Sequence, residues 1–167
     1  MDIALTPIPG TPFYDWALND TGTDLAAENG LLTAILMSLG TDRLANADDV
    51  LPSGDGDRRG TWMDDPVDGS APLDRMGSRL WLLSRVKATQ QALNDAIFYC
   101  EEALQWLVDD QVAASVTVTG QFQPGTIGMI ALDIVISKVA PPGGKPISER
   151  YQALWNSTTS ELGVTAQ

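Results

Sequence analysis

The strongest constraint on the fold is a run of helical periodicity that stops where strand alternation begins. Between residues 89 and 109 apolar positions recur every three or four residues, which places them on one face of an α-helix. They are Leu93, Ala96, Ile97, Cys100, Ala103, Leu104 and Leu107. Residues 112–136 alternate instead, around the turn-forming GQFQPGTIG, so they are predicted to form a β-hairpin with one buried face.

The remaining segments give weaker patterns. The first forty residues are predicted to be mostly extended, with the apolar run LLTAILMSL (31–39) as a core strand, although a short buried helix fits the same pattern. RLWLLSRVK (79–87) follows a helix-start pattern at Gly77 and Ser78 and is interpreted as a short helix or an extended strip. SERYQALW (148–155) is predicted to form an amphipathic helix before a polar tail.

These patterns together predict the α+β class, as a single domain whose antiparallel sheet packs with one long central helix and a C-terminal helix. With 167 residues, 44% of them hydrophobic, the chain is long enough for one domain with a core of its own. We assign residues 1–140 to the main domain and 141–167 to a C-terminal extension of a short helix and a polar tail. There is no internal repeat.

Composition excludes several classes of function. The chain has no histidine, which removes Ser-His-Asp and Cys-His arrangements and most zinc and non-haem iron sites. Cys100 lies in the apolar helical stripe and is interpreted as a buried structural thiol. The net charge of −12 repels nucleic acid and anionic membranes, so basic protein partners are favoured. Without a signal-peptide pattern or an apolar run of about 20 residues, a soluble protein of the cytoplasm is expected.

Carboxylates are the only catalytic groups present in quantity, and their spacing is unfavourable. Glu101 and Glu102 point about 100° apart around a helix axis, so they do not converge on one substrate. Two aspartate pairs between residues 41 and 87 have no evident apolar pocket that would raise the pKa of one member. They are Asp48/Asp49 and Asp64/Asp65. We therefore expect no enzymatic activity.

Two glycine-containing motifs resemble ligand sites only superficially. DGD at 55–57 is followed by two arginines, whereas a calcium loop needs further alternating oxygen ligands and a closing glutamate. GGKP at 143–146 lacks the upstream glycine and the Ser or Thr of a phosphate-binding loop. Neither motif predicts a metal ion or a cofactor.

An acidic segment, residues 41–87, combines residue types that a solvated linker would not need. It holds nine aspartates between Asp42 and Asp74, together with arginines and tryptophans. Arg58, Arg59 and Arg79 carry planar guanidinium groups that suit carboxylates. Two interpretations stay open, internal ion pairs that hold the segment in place and docking onto a partner.

The long helix carries a second stripe of Tyr99, Ala103 and Trp106. One interpretation is a helix buried on two sides within its own domain. The other is an aromatic surface that faces a partner.

Four segments in order resemble the Mu-type phage baseplate wedge family. They are LLTAILMSLGTDRLANADDVLP, DRRGTWMDD, GSRLWLLSRVKATQQALNDAIFYCEEALQWLVDD and VAASVTV. The resemblance covers roughly residues 1–138, and the terminal SERYQALW weakly. The family is similar in turn to the small, lysozyme-like wedge subunit of T-even phages and to counterparts in type VI secretion and other contractile injection machines. This chain departs from the family pattern by Thr61 before Trp62, where a second tryptophan is usual, and by Asp109, Asp110 and Gln111 in place of a Glu-Pro-Arg signature.

The resemblance implies a structural protein without enzymatic activity. It would be present in six copies around the hub and spike proteins, join larger wedge subunits, and offer a sheet edge to the first ring of the tail sheath protein by strand addition. It would lie in the tail baseplate of the virion after assembly in the host cytoplasm, and residues 1–140 would be its baseplate wedge domain. The expected contact residues are Arg58, Arg59, Trp62, Arg79, Trp81, Tyr99, Trp106, Val116, Val118, Ile134 and Ile136. Two alternatives stay open, a peptidoglycan-cleaving, lysozyme-like tail enzyme and an acidic adaptor for a basic partner.

Overall fold

A four-stranded antiparallel sheet, covered on one face by helices, forms the centre of the molecule. The computed structural model describes residues 2–8, 11, 14–19, 21–23, 25–28, 30–54, 56–61, 76–138 and 147–167. The strands are β1 (Asp2–Ile3), β2 (Leu5–Pro7), β3 (Tyr14–Trp16), β4 (Ala27–Glu28), β5 (Ala113–Phe122), β6 (Met129–Lys138), β7 (Ser148–Asn156) and β8 (Glu161–Ala166). The helices are α1 (Leu32–Gly40), a 3₁₀ helix (Leu80–Leu83), α2 (Gln90–Leu104) and α3 (Trp106–Asp109). These elements confirm the predicted α+β class.

The predicted long helix is confirmed as α2 and α3, which are separated only by Gln105. It begins where the Thr89 hydroxyl accepts a hydrogen bond from the Ala92 main-chain N–H, at 3.2 Å. The apolar stripe turns inward, and Ala96, Cys100 and Leu104 are all fully buried. Burial of this stripe against the sheet holds the helix in place, since most of the stability of a helix in a protein comes from packing of its apolar face.

The predicted hairpin is confirmed as β5 and β6, with Val118 opposite Ile134. β6 pairs on its other side with β7, and β7 pairs with β8, so the strand order is β5-β6-β7-β8. Residues at every second position face the helices and are buried, among them Leu132 and Ala153. The core therefore lies between this inner face of the sheet and the helices α1 and α2.

Gly120 in β5 lets α2 approach the sheet closely. A Cβ atom at this position would lie 3.0 Å from Leu132 Cδ2 and 3.1 Å from both Ile97 Cγ1 and Leu93 Cδ1. We expect Gly120→Val to lower the free energy of unfolding by about 1–3 kcal/mol, because three well-packed side chains must shift. Urea unfolding followed by circular dichroism measures this loss. The control is Thr119→Val on the exposed face of the same strand, and an equal loss in both variants would contradict close helix packing at Gly120.

The predicted C-terminal helix is wrong, because residues 148–156 form strand β7. Tyr151, Ala153 and Trp155 are buried while the residues between them are partly exposed, which is strand periodicity. Tyr151 and Trp155 are four residues apart, a spacing that fits a helix and a strand equally well. Pairing with β6 along the whole of β7 decides the outcome.

The predicted core strand at 31–39 is also wrong, because this run forms α1. Ile35, Leu36 and Leu39 are buried on one side, whereas Met37 is exposed on the other. A run that is apolar at every position shows no period, so only its packing against α2 and β8 selects the helix. Strands within the first 30 residues form two small antiparallel pairs, β1 with β4 and β2 with β3, in agreement with the predicted mostly extended structure, and residues 21–23 form a turn. Of the two interpretations of residues 79–87, a short helix or an extended strip, the structure shows the short helix, as the 3₁₀ helix.

Glu149 in β7 joins the sheet to the start of α1. Its carboxylate accepts hydrogen bonds from Tyr151 Oη at 2.8 Å and pairs with Lys138 Nζ at 2.6 Å, while Tyr151 Oη also accepts from the Leu31 main-chain N–H. Burial works to raise the pKa of Glu149, but the hydrogen bonds and the charge of Lys138 outweigh it and hold that pKa below its ordinary value.

Stability should consequently depend on the ionisation of Glu149. A carboxyl group whose pKa is lower in the folded state stabilises above its unfolded pKa, and this contribution is lost as the pH falls through the folded value. We expect the difference in unfolding free energy between the native protein and Glu149→Gln to shrink as the pH falls below about 4.5, the ordinary glutamate value. Urea unfolding at pH 7 and at stepwise lower pH tests this. A difference that is constant with pH would contradict the assigned role of the charge.

Among the helices that the structure describes, none is long and apolar enough to span a lipid bilayer.

Candidate subunit-contact site

Arg79 is the centre of a buried ionic network. Its side chain is 6% exposed, and its Nη1 donates to both carboxylate oxygens of Asp49 at 2.9 Å. Nε and Nη2 donate to the two oxygens of Glu102, at 2.9 and 3.1 Å. The guanidinium carbon lies 4.7 Å from the centroid of the Tyr99 ring. Arg79 thus fastens the acidic segment to α2 by a bidentate pair with Glu102, a contact of Nη1 with both oxygens of Asp49 and a cation–π contact with Tyr99.

The environment keeps Arg79 charged. Burial works to lower the pKa of Arg79, yet the hydrogen bonds and negative charges of Glu102 and Asp49 outweigh it and raise that pKa above its ordinary value. Arg43 adds a weaker contact, with its Nη1 3.9 Å from Glu102 Oε2. The residues present therefore satisfy every charge in this network without a ligand.

Arg58 and Arg59 are also engaged within the chain. Arg58 donates to the main-chain carbonyl of Ala45, and Arg59 forms an ion pair with Asp42. Arg59 also lies over the ring of Trp81, at 4.7 Å from guanidinium carbon to ring centroid. Internal pairing, the first of the two interpretations of these arginines, therefore accounts for Arg59 and Arg79.

Trp81 is a core residue of the acidic segment. Only 2% of it is exposed, and its Nε1 donates to the main-chain carbonyl of Arg43 at 2.9 Å. Trp62, the other predicted contact residue of this segment, lies outside the residues that the structure describes, as do Asp64 and Asp65.

The aromatic residues of the long helix differ in exposure. Tyr99 is half-buried beside Arg79, and burial raises the pKa of its hydroxyl. Trp106 is 36% exposed and its Nε1 donates to Ser38 Oγ of α1, at 3.0 Å. Phe98, which the sequence reasoning missed, is 55% exposed and its ring centroid lies 6.0 Å from that of Tyr99. Phe98 lies between Asn94 and Glu101 on the polar side of the helix, and an aromatic residue at such a position is the sequence signal that predicts its exposure.

The predicted hairpin residues lie mainly in the core. Val118, Ile134 and Ile136 are buried, and Val116 is half-buried. β6 runs between β5 and β7, so Ile134 and Ile136 are not at an edge of the sheet. A partner that joins this hairpin would therefore contact the main chain of β5 rather than these side chains.

The two outer strands of the sheet differ in what covers them. Among the described strands β5 pairs with β6 only, and its residues Thr117 and Thr119 are exposed. At the other edge, the main-chain N–H of Val164 in β8 donates to Tyr14 Oη at 3.3 Å, and α1 packs against this strand. The described N-terminal residues thus protect the β8 edge and not the β5 edge.

The carboxylates and the thiol of the long helix, the candidate catalytic groups in the sequence, do not converge on one site. Glu102 is bound to Arg79, whereas its neighbour Glu101 is exposed on a different side of α2. Cys100 is fully buried, and burial raises the pKa of its thiol well above the ordinary value. Within the described ranges there is no group of three or more His, Cys, Asp or Glu side chains that could hold a metal ion.

The sequence model of the family described as phage protein GP46 matches residues 31–142, about two thirds of the chain. The chain belongs to this family. The matched range runs from α1 to the end of β6 and so includes both the Arg79 network and the hairpin. The predicted relationship to Mu-type phage proteins is confirmed.

Two relatives are similar over most of their length. Baseplate protein gp46 of Escherichia phage Mu is 39% identical over 138 residues, which cover 81% of this chain and 86% of that protein. The Mu-like prophage FluMu protein gp46 of Haemophilus influenzae (strain ATCC 51907 / DSM 11121 / KW20 / Rd) is 34% identical over 136 residues, 81% of this chain and 87% of that protein.

Proposed function

We propose that this protein is a structural component of a phage tail baseplate and has no enzymatic activity. The observation that carries this proposal is the 39% identity, over 81% of the chain, to a protein named as a baseplate protein. The Arg79 network supports this proposal, because its charged groups bind one another and hold the acidic segment on α2. They are not directed toward a substrate. The protein would act through the surfaces it presents to neighbouring subunits.

Its specific role in the baseplate is that of a wedge subunit in a contractile tail or tail-like particle. Six copies around the hub and spike would each join larger wedge subunits, in a baseplate assembled in the host cytoplasm. The surface we assign to the larger subunit is the side of the long helix that carries Phe98 and Tyr99, with Trp106 about two turns further along. An exposed phenylalanine in contact with a half-buried tyrosine suits an interface core, where aromatic residues are enriched.

The second contact is strand addition to β5 by the first ring of sheath subunits. Main-chain hydrogen bonds along an open strand give a joint that tolerates variation in side chains. The exposed Thr117 and Thr119 and the absence of a second described neighbour for β5 support this choice of edge. Hydrogen exchange of the β5 amides should slow when purified sheath subunit is added, while exchange in β8 stays unchanged. Protection of β8 alone would contradict this contact.

Association with the larger wedge subunit tests the main proposal. Size-exclusion chromatography with light scattering should detect a complex that persists at a few hundred millimolar salt, since an apolar interface is not screened. Phe98→Ser should weaken the complex by about tenfold, whereas Asn94→Ser, one turn earlier on the same helix, should leave it unchanged. Absence of a complex would contradict the wedge role, and dissociation by salt would favour the acidic adaptor.

The enzymatic alternative has its own test. Purified protein added to a suspension of bacterial cell walls is expected to leave the turbidity unchanged. Clearing of the suspension that disappears when one carboxylate is changed to its amide would overturn the non-enzymatic proposal.

A further inference from the structure

A polar pocket lies where two parts of the acidic segment, around Pro52 to Arg59 and around Ser84, meet the β7–β8 turn. Its volume is about 300 Å³, and Arg59, Arg85, Ser84 and Ser160 contribute polar groups to its lining, with Trp81 as an apolar wall. Two of the ten basic residues of a chain with 22 acidic ones thus line one small pocket. Because Arg59 is paired with Asp42, Arg85 supplies the positive charge that favours an anionic ligand.

The backbone of this pocket is strained. Arg59, Arg85 and Ser160 have φ angles of 51°, 64° and 57°, in the left-handed region that favours glycine. They are three of the four non-glycine residues with positive φ in the part of the chain that the structure describes. Strain of this kind tends to persist where the side chain has a function. The Arg85 N–H donates to the Ser157 carbonyl at 2.8 Å, which holds this residue in its conformation.

The polar groups of the pocket differ in how far they are already engaged. Arg59 is paired with Asp42 and lies over Trp81. The Arg85 side chain is exposed and makes no ion pair or hydrogen bond with the described residues. Ser84 and Ser160 place their hydroxyl oxygens 2.7 Å apart, so one hydroxyl donates to the other. The accepting hydroxyl keeps its own proton as a donor for a third group.

We infer that this pocket binds a carboxylate group of a partner protein, with Arg85 as the main charged donor and the Ser84–Ser160 pair as the neutral donor. Guanidinium groups bind carboxylates through two parallel hydrogen bonds. A single carboxylate fits a volume of about 300 Å³, whereas the net charge of −12 opposes the approach of a polyanion. That the partner is a baseplate subunit rests on the proposed function, but carboxylate binding by the isolated chain does not.

Titration of the isolated protein with a defined probe tests this inference. The probe is the blocked peptide acetyl-Gly-Glu-Gly-Glu-amide, added to ¹⁵N-labelled protein at constant ionic strength. We expect saturable NMR shifts of the Arg85 and Ser160 amides and of the Trp81 indole N–H. The same peptide with glutamine in place of glutamate should give no saturable shift. Equal shifts with both peptides, or none with the glutamate peptide, would overturn the inference.

Two charge-removing variants locate the binding. Arg85→Gln should weaken the binding of the glutamate peptide about tenfold or more, because a charge-assisted pair is lost. Lys87→Gln removes an equal charge from an exposed residue outside the pocket lining and should leave binding unchanged. Both variants should unfold at the same temperature as the native protein. An equal loss in both variants would show general charge screening and overturn the assignment to this pocket.

Titration with inorganic phosphate tests whether the pocket prefers a carboxylate to a phosphate. Phosphate should shift the same resonances only weakly at concentrations that saturate with the glutamate peptide. Saturable binding of phosphate without binding of the peptide would overturn the choice of a carboxylate. Failure of peptide binding while the wedge complex still forms would overturn this inference and leave the proposed function standing.

Discussion

Arg79→Met is expected to lower the free energy of unfolding by about 3–5 kcal/mol, a range typical of breaking a buried ion pair from one side. Methionine keeps the apolar stem of the side chain and removes all the donors. The carboxylates of Asp49 and Glu102, whose side chains are 13% and 24% exposed, then lose the partner that made their burial favourable. Their residual contact with water places the expected loss toward the lower end of the range. Urea unfolding at pH 7, followed by far-ultraviolet circular dichroism, measures it.

Two further variants test whether the loss of stability depends on the burial and geometry of the ion pair or only on its charge. Arg59→Met breaks the pair with Asp42, in which the side chains are 37% and 45% exposed, and should cost only about 0–1 kcal/mol. Arg79→Lys keeps a positive charge but cannot bind two carboxylates through a planar fork, so it should fall between the two methionine variants. A loss for Arg79→Met no larger than that for Arg59→Met would refute the structural importance of the buried network.

The parts of the fold that sequence predicted are those with a single clear period. The helix at 89–109 and the hairpin that follows repeat every 3.6 and every 2 residues, and their packing against each other buries the faces that these periods define. α1 was mistaken for a strand because its apolar residues surround the helix on most sides. β7 was mistaken for a helix because its correct partner, β6, is selected by tertiary pairing, which local spacing does not encode.

The candidate site shows the same limit. The type of group that Arg79 binds could be predicted from its chemistry, but its partners lie 30 and 23 residues away, so their identity follows only from the fold. Arg85 and Ser160 line the same pocket although the whole hairpin lies between them in sequence, and no motif marks either residue. Phe98 was detectable in principle, as an aromatic residue on an otherwise polar side of a helix.

Gly77→Ala is expected to cost about 3 kcal/mol or more, because it combines strain with a main-chain collision. Gly77 has a φ of +103°, and a Cβ atom there would lie 2.5 Å from the Thr41 carbonyl oxygen and 3.0 Å from the Arg43 nitrogen. The left-handed conformation alone costs an alanine about 1–2 kcal/mol. The neighbouring main-chain bonds, Ser78 N–H to Thr41 O at 2.9 Å and Arg43 N–H to Ser78 O at 3.0 Å, must then lengthen or break.

Gly125→Ala is the matched control for this change. Gly125 has a φ of +82° with no atom within 4 Å of the added Cβ, so the variant carries the conformational strain without the collision. It should lose about 1–2 kcal/mol. Equal losses at the two glycines would contradict the assignment of the larger effect to the close approach of Thr41.

Gly77 and Arg79 should also be coupled, because they act on the same contact between the chain at 76–79 and the chain at 41–49. Ser78 bonds to Thr41 and the adjacent Arg79 bonds to Asp49, so we expect a displacement of Ser78 in Gly77→Ala to weaken the ionic network as well. The double variant Gly77→Ala/Arg79→Met should therefore lose less than the sum of the two single losses, by more than about 0.5 kcal/mol. Additive losses would mean that the network keeps its geometry after Thr41 and Ser78 separate, and that Arg79 is positioned by the 3₁₀ helix and α2 instead.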